Sequence, residues 1–343
     1  MKVRPSLGNY SHMSYRIPAD TESAGGLHPP SKAIAVDHGQ SLQYLEESFD
    51  PTFGFQSNIA PEGDFAKRMT SPPEIFSCLL VSQFLSDTGI EVGFLKHIPR
   101  LIQKVTNTKG FLHFFFDKKL LVADLDCTAV GYSLLIRMKE TPNTLHGVID
   151  GMVQNVDDAG VMEVYLKPAG EHAGRIDECV LVNALHLLYS VGRESEAKLS
   201  EQAVFDFLEN NAFLHGTRYY PSPDAFLYFL SRLVRDFPKT RPRFLNGLME
   251  AFYERREHTS TFVDLALRTA ALDNLNIRNM AYHRKVLSSQ TPGGYWQASP
   301  FFKYGRKNLY FGGAPLSTGL GIRATTHRAP ALKRDEPECE WDT

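Results

Sequence analysis

Two aspartates and a cysteine, Asp124, Asp126 and Cys127, stand together at the start of a segment whose apolar pattern predicts a buried helix. An aromatic run precedes them at residues 110–116, and mostly apolar residues follow them at 130–136. Burying a carboxylate in its ionised form is costly, so such surroundings favour a protonated acid. A neutral acid that faces an apolar, aromatic-lined space is suited to protonating an alkene or an epoxide.

A purely structural interpretation of the same segment makes Asp124 an ordinary helix N-cap and places Asp126 in a solvated first turn. The two interpretations differ in the burial of Asp126. Only a buried Asp126 could serve as a neutral acid.

The chain has 343 residues, of which 43% are hydrophobic and 22% charged, with a net charge of −2. This composition is typical of a globular protein, and the near-neutral charge argues against a nucleic-acid partner. Four cysteines in a chain of this length do not form a disulfide framework, which favours a reducing compartment. We see no apolar signal segment after Met1 and no apolar run of about 18 residues. The expected location is therefore cytoplasmic.

From residue 71 onward helices and turns alternate, with scarcely any two-residue strand period. Four times a glycine or turn comes before aromatic residues and then an apolar helix, at Gly110, Gly160, Gly216 and Gly294. This spacing fits helical hairpins, none of which can bury its apolar face alone. We therefore predict an all-α fold, an α/α barrel of helical hairpins with the N-termini of its inner helices around one mouth of a central cavity.

The sequence divides into three expected parts. Residues 1–65 form an N-terminal extension that is partly irregular, with one short helix near residues 41–49. Residues 66–326 form a single barrel domain, and residues 327–343 form a solvated tail.

Three sequence motifs carry a resemblance to a known family. Residues 126–129, Asp-Cys-Thr-Ala, resemble a signature of oxidosqualene cyclases. With Asp124 they are similar to the Asp-x-Asp-Asp-Thr-Ala motif of squalene–hopene cyclases and other class II terpene cyclases, with Cys127 in place of the third aspartate. Residues 290–296 match the core of the Gln-Trp (QW) repeat of these enzymes, although its upstream half departs from the pattern. Glu178-Cys179 looks like the Glu-Cys pair of oxidosqualene cyclases.

This resemblance covers roughly residues 70–325 and implies a single catalytic barrel, as in single-domain meroterpenoid cyclases. It implies protonation-initiated cyclisation of a linear polyprenyl substrate, with Asp126 as the general acid and Asp124 as its neighbouring charge or hydrogen-bond partner. The thiols of Cys127 and Cys179 would stabilise the carboxylate left behind. No cofactor is implied, and magnesium would be needed only for a diphosphate substrate.

Further side chains are expected to shelter a carbocation or to orient groups around the acid. Asn183 lies one turn beyond Cys179 and could orient a water molecule or the acid. Lys303, Arg306 and Lys307 could bind a diphosphate, or they could be solvated loop charges. The complete set of expected substrate-binding residues is Thr128, Tyr132, Asn183, Tyr219, Tyr220, Phe301, Tyr304 and Tyr310.

Two other interpretations stay open. Protein prenyltransferase β-subunits share the barrel and the tryptophan repeat, and Asp177, Cys179 and His283 could bind zinc in their manner. A barrel that binds a terpenoid or another lipid without chemistry is the second. The expected partner is a small isoprenoid substrate, and transient contact with a membrane surface would serve to take it up. The sequence does not indicate an oligomeric state.

Overall fold

In a computed structural model of the protein, the described residues are 37–166, 172–258 and 261–326. Most of the expected N-terminal extension and all of the expected tail lie outside these ranges, so the three-part division stays a prediction. The described residues form twelve α-helices and six short β-strands. The helices are α1 (Gly39–Ser48), α2 (Phe76–Thr88), α3 (Ile98–Val105), α4 (Leu125–Arg137), α5 (Leu145–Val153), α6 (Glu178–Ser190), α7 (Lys198–Glu209), α8 (Pro223–Asp236), α9 (Arg241–Arg255), α10 (Phe262–Asn274), α11 (Met280–Ser288) and α12 (Ala314–Thr325).

Six helices, which we call the inner helices, contact one another in a closed ring. Each of α2, α4, α6, α8, α10 and α12 packs against the next, and α12 packs against α2. Most residues of these helices are buried, and α2, α4, α6 and α12 have largely apolar sequences that fit burial on all sides. Of the remaining helices, α1, α7, α9 and α11 pack against members of the ring.

Short strands make the fold helix-rich rather than strictly all-α, so the all-α prediction is wrong in this respect. Strands β1 (Phe49–Asp50) and β2 (Gly54–Phe55) form an antiparallel pair. A second antiparallel sheet has the strand order β4-β3-β6-β5. These strands are too short to give a two-residue period, and β3 pairs with β6 from the other end of the chain, a contact that no local pattern reveals. The strands of this sheet are β3 (Asn58–Pro61), β4 (Met69–Thr70), β5 (Pro300–Lys303) and β6 (Leu309–Gly312).

The short helix expected near residues 41–49 is α1, and it packs against α12. Ser41 on α1 donates a hydrogen bond to the backbone oxygen of Gly294, at 2.5 Å, and accepts one from Gln290, at 2.8 Å. Trp296 is fully buried and donates its indole N–H to the oxygen of Val286. The Gln-Trp motif therefore joins α1 and α11 to the inner helix α12.

The first two glycine turns found in the sequence have the same structure. Gly110 and Gly160 both have a positive φ, of 88° and 77°. Asn107 before the first turn and Asp157 before the second each accept two backbone N–H groups through Oδ1. A side chain of this kind stabilises a turn in which glycine takes the left-handed conformation. The turns direct the chain back toward the N-termini of α4 and α6.

A buried ionic cluster lies at the C-terminal ends of the inner helices, away from Asp126. The carboxyl group of Asp87 on α2 is fully buried and pairs with Arg137 on α4, at 2.5 Å, and with Arg232 and Arg235 on α8, at 3.1 and 3.0 Å. Burial alone would raise the pKa of Asp87, but the three arginines hold it well below its usual value. This cluster joins three inner helices at the far end of the ring.

Among the helices that the structure describes, none combines the length and the hydropathy required to span a bilayer.

Candidate active site

Asp124 is the N-cap of α4. Its Oδ1 accepts the backbone N–H of Cys127 at 2.7 Å, which satisfies one of the free donors at the start of the helix. Its Oδ2 is buried and has no hydrogen-bond partner among the described residues. Burial raises the pKa of Asp124 to about 6, although the hydrogen bonds from Cys127 oppose the rise.

Asp126 lies in the first turn of α4 and is buried, with 8% of its surface exposed. Asn183 on α6 donates its Nδ2 to Oδ1 of Asp126 at 2.8 Å. The hydroxyl group of Tyr220, in the loop before α8, donates to Oδ2 at 2.5 Å. The interpretation of Asp126 as a solvated first-turn residue is therefore wrong, because three elements enclose its carboxyl group.

The pKa of Asp126 is raised to about 8. Burial is the main cause, and the neighbouring carboxyl groups of Asp124 and Asp177 raise it further, while the hydrogen bonds from Tyr220 and Asn183 lower it. At neutral pH the group is thus mostly a neutral acid that can release a proton.

A cavity adjoins this acid, with about 520 Å³ of free space when its open mouth is included. We call it the apolar cavity. Its enclosed part is narrow, and among the described residues the polar side chains that line it are Asp124, Asp126, Cys127, Lys303 and four tyrosines. The aromatic and aliphatic side chains that line it are Phe76, Phe114, Leu121, Val164, Tyr165, Val180, Tyr219, Tyr220, Phe302, Tyr304 and Phe311.

Several residues expected from the sequence meet at this cavity. Tyr219, Tyr220 and Tyr304 line it together with Asp124, Asp126 and Cys127. Asn183 does not line the cavity, but it donates a hydrogen bond to Asp126.

The two cysteines lie close to the acid without a direct hydrogen bond to it. The thiol of Cys127 interacts with Asp124, and the thiol of Cys179 interacts with Thr217. Burial raises the pKa of both thiols well above the usual value. The resemblance implied that the Cys179 thiol stabilises the carboxylate of Asp126, whereas in this structure Asn183 and Tyr220 make the hydrogen bonds to it.

Besides Asn183, four residues expected to bind substrate do not line the apolar cavity. Thr128 donates to the backbone oxygen of Asp124 and accepts the N–H of Leu112, so it positions the N-cap. The hydroxyl group of Tyr132 donates to the oxygen of Gly110, at 2.9 Å, and stabilises that turn. The remaining two of these residues are Phe301, which packs edge-on against the ring of Tyr220, and Tyr310, whose hydroxyl group contacts Asn308.

Sequence reasoning missed several lining residues. Phe302 and Phe311 are hydrogen-bonded neighbours in β5 and β6, and their rings stack at 5.4 Å. Their strands are too short to give a two-residue period, and the pairing of β5 with β6 shifts register between Pro300 and Phe302, so no local pattern pointed to these two residues. Tyr165 stands five residues after Gly160, at the position that Phe115 takes after Gly110.

The proposed zinc ligands have other partners. Both carboxyl oxygens of Asp177 accept backbone N–H groups, Oδ1 those of Cys179 and Val180 and Oδ2 that of Tyr219. Nε2 of His283 lies 2.9 Å from the backbone oxygen of Thr325, within hydrogen-bond distance. Within the described ranges, no group of three His, Cys, Asp or Glu side chains is arranged to hold a metal ion. The structure thus does not bring Asp177, Cys179 and His283 together.

Comparison with known proteins gives three similarities. Residues 69–191 match the family described as the sesquiterpene cyclase astC-like C-terminal domain. The drimenol cyclase drtB of Aspergillus calidoustus is 32% identical over 208 residues, which are 59% of this chain. These residues are 38% of that enzyme, so the match spans well under half of its length.

The third similarity is to solved structures of the type II terpene cyclase MstE from Scytonema. A variant of MstE in complex with its substrate geranylgeranyl dihydroxybenzoate superposes with a TM-score of 0.61 at 10% identity, covering 84% of this chain and 95% of that one. The ligand-free enzyme gives a TM-score of 0.60 at the same identity, covering 84% of this chain and 96% of that one. At such low identity the likeness concerns the fold.

Proposed function

We propose that the chain is a class II terpene cyclase, that it cyclises a linear polyprenyl or meroterpenoid substrate and that Asp126 starts the reaction as general acid. One observation carries this proposal: a carboxyl group with a pKa of about 8 forms part of the wall of an apolar, aromatic-lined cavity.

The first step is a proton transfer. The O–H bond of Asp126 breaks, and its proton forms a C–H bond with one carbon of an alkene, whose π electrons supply the bond. The other alkene carbon becomes a carbocation. With an epoxide, the proton goes to oxygen and the C–O bond opens to the same kind of cation. The next alkene of the folded chain attacks this cation and closes a ring.

The carboxylate left on Asp126 keeps two donors, Asn183 on Oδ1 and Tyr220 on Oδ2. Both hydrogen bonds strengthen as negative charge develops, so they stabilise the transition state more than the ground state. When the final cation loses a proton or captures water, Asp126 regains a proton for the next turnover.

Aromatic faces of the apolar cavity can stabilise the travelling cation and keep water away. Phe302 packs edge-to-face against both Phe76 and Phe114 in one wall, and the three ring centroids lie 5.5–6.3 Å apart. Such rings offer a polarisable surface without a nucleophile that would end the reaction early. The family description and the names of the relatives support farnesyl and geranylgeranyl chains as the lengths to try first.

The test is a product survey with the full chain. Linear farnesyl and geranylgeranyl alcohols, their terminal epoxides, their diphosphates and prenylated hydroxybenzoates are incubated with the protein, and extracts are examined for cyclised products by mass spectrometry. We expect at least one cyclised product from the wild type and none from Asp126→Asn, which keeps the shape of the acid but has no acidic proton. A substrate that binds the folded wild type without being cyclised would favour a lipid-binding barrel instead.

A further inference from the structure

Asp177 has a fully buried carboxyl group that the proposed proton transfer does not use. It is the N-cap of α6, the same position that Asp124 takes at the start of α4. Oδ1 of Asp124 accepts a helix N–H, and its Oδ2 has no hydrogen-bond partner among the described residues. In Asp177 both oxygens accept hydrogen bonds, although a cap needs only one of them. The second oxygen of Asp177 therefore binds a group outside its own helix.

That group belongs to the loop before α8, residues 216–222, which we call the Tyr220 loop. The backbone N–H of Tyr219 donates to Oδ2 of Asp177 at 2.8 Å. The backbone oxygen of Tyr219 accepts the N–H of Lys303 on β5, also at 2.8 Å. Tyr219 is thus held by α6 through its N–H and by the β5–β6 hairpin through its oxygen.

Thr217 closes the Tyr220 loop on itself. Its Oγ1 accepts the backbone N–H of Tyr220 at 3.1 Å, and its own N–H donates to the oxygen of Tyr220 at 2.7 Å. Its hydroxyl group also interacts with Asp177 and lowers the pKa of that carboxyl group. Gly216 has a φ of 68°, and a Cβ there would lie 2.5 Å from the backbone oxygen of Pro221, so this tight turn requires glycine. The backbone of Tyr220 is therefore fixed on both of its polar groups.

The hydroxyl group of Tyr220 lies at the end of this segment and donates to Oδ2 of Asp126 at 2.5 Å. Its ring packs edge-on against Phe229 and Phe301, with centroids 5.3 and 6.5 Å apart. Hydrogen bonds between oxygens span only about 2.5–3.0 Å, so a small shift of the backbone would break this one. The position of the Tyr220 loop thus decides whether the hydroxyl group reaches the acid.

We propose that Asp177 and Thr217 are positioning residues, which together hold the Tyr220 loop so that the hydroxyl group of Tyr220 donates to Asp126. This inference rests on the proposed function of Asp126. Asp177 and Thr217 do not line the apolar cavity, so they act on the reaction without touching the substrate.

Thr217→Val is the sharper of the two possible variants. It keeps the shape of the side chain and removes the acceptor for the N–H of Tyr220 without changing a charge. Asp177→Asn also removes a negative charge that raises the pKa of Asp126, so its effect on that pKa combines two opposing causes. Thr217→Ser keeps the hydroxyl group and should restore the behaviour of the wild type. The matched control is Thr240→Val, which removes a buried hydroxyl group that donates to the oxygen of Phe237, at the other end of α8.

Infrared titration of the purified full chain measures the pKa of Asp126 without turnover. The protonated carboxyl group of Asp126 gives the carbonyl band that is missing from Asp126→Asn. We expect Thr217→Val to raise this pKa by roughly half or more of the rise that Tyr220→Phe causes, because the hydrogen bond from Tyr220 is weakened or lost. Thr217→Ser and Thr240→Val should titrate as the wild type does.

Combining Thr217→Val with Tyr220→Phe tests whether Thr217 acts through Tyr220. The double variant should titrate at the pKa of Tyr220→Phe alone. Thr217→Val should also slow cyclisation by about threefold or more when Tyr220 is present and leave the rate of Tyr220→Phe nearly unchanged. Equal effects in the two backgrounds would overturn the proposal, as would a folded Thr217→Val protein whose Asp126 keeps the wild-type pKa.

Circular dichroism and thermal midpoints establish that the variants are folded. Should Thr217→Val fail to fold, Asp177→Asn takes its place in the same cycle. The lost charge acts in both backgrounds, so a larger loss of rate in the presence of Tyr220 measures positioning. Equal losses of rate in the two backgrounds would overturn the proposal.

The infrared titration separates failure of this inference from failure of the proposed function. The expected pKa shifts without any cyclised product from the wild type would support the positioning role and reject the function. Cyclisation that requires Asp126 but has the same rate and pH profile in Thr217→Val would support the function and reject the positioning role.

Discussion

Asn183 on α6 donates its side-chain amide to Asp126 on α4, with 2.8 Å between Nδ2 and Oδ1, and thus joins two neighbouring inner helices at the candidate acid. Tyr220 donates to the second carboxyl oxygen from a third element. These two donors lower the pKa of Asp126, whereas burial raises it to about 8 overall. The pKa of Asp126 therefore reflects opposing effects, and single substitutions of the two donors should shift it in a known direction.

The pH dependence of the wild type should report this pKa. Cyclisation requires protonated Asp126, so activity should stay level through neutral pH and decline above about pH 8, by about tenfold per pH unit. The measurement is the initial rate of product formation at saturating substrate between pH 5 and 10. A rate that rises with pH across the range 5–8 would contradict an acid-initiated reaction.

Removing Tyr220's hydroxyl group should weaken the acid. Tyr220→Phe deletes a hydrogen bond that lowers the pKa of Asp126, so the alkaline decline should move to higher pH. The rate on the level part should fall by about tenfold or more, because the carboxylate loses a stabilising donor. Tyr132→Phe is the matched control: it removes a buried hydroxyl group that holds the Gly110 turn, and it should lower the thermal midpoint without moving the pH profile.

Asn183→Leu should act in the same direction as Tyr220→Phe. It removes the donor to the other oxygen of Asp126 and again raises the pKa of that group. The double variant should shift the alkaline limb further than either single variant, since the two donors act on separate oxygens. Equal pH profiles for the wild type and both single variants would show that Asp126 does not govern the rate.

Protein stability should depend on pH through Asp126. Its pKa is raised from 3.8 to about 8 on folding, so its contribution to stability is complete below pH 4 and is lost as pH rises through 8. Asp126→Asn cannot ionise, and its free energy of unfolding should exceed that of the wild type by on the order of 1 kcal/mol or more at pH 8, with little gain at pH 4. Denaturant melts at the two pH values measure this, with the exposed Asp158→Asn as control.

The ionic cluster at the far end of the ring should matter for stability rather than for proton transfer. Asp87→Asn leaves Arg137, Arg232 and Arg235 without their buried counter-ion, which should cost about 3–5 kcal/mol. Asp150→Asn breaks an exposed pair with Arg193 and should cost less than about 1 kcal/mol. Chemical denaturation measures the loss of stability in both variants. The folded protein of each variant should show the same decline of activity at alkaline pH as the wild type.

Much of the helical framework followed from local sequence. The apolar runs that became α2, α4, α6, α8 and α12 were recognisable because inner helices are buried on every side. The glycine turns were also recognisable, since residues such as Asn107 and Gly110 stabilise one turn geometry through contacts within a few residues. The strands were not predicted because β3 pairs with β6, which lies near the other end of the chain, and local sequence does not show such a contact.

The candidate site shows the same division. The sequence by itself placed Asp124 and Asp126 at the start of a buried helix, because capping and burial are local properties. Only the tertiary structure brought Asn183 and Tyr220, which lie 57 and 94 residues away along the chain, to the two oxygens of Asp126. It alone brought the loop before α8 against the β5–β6 hairpin, where the N–H of Lys303 donates to the oxygen of Tyr219. The pKa of Asp126 and the lining of the cavity depend on side chains that are distant in the sequence. Closure of the ring of helices decides which of these side chains surround the acid.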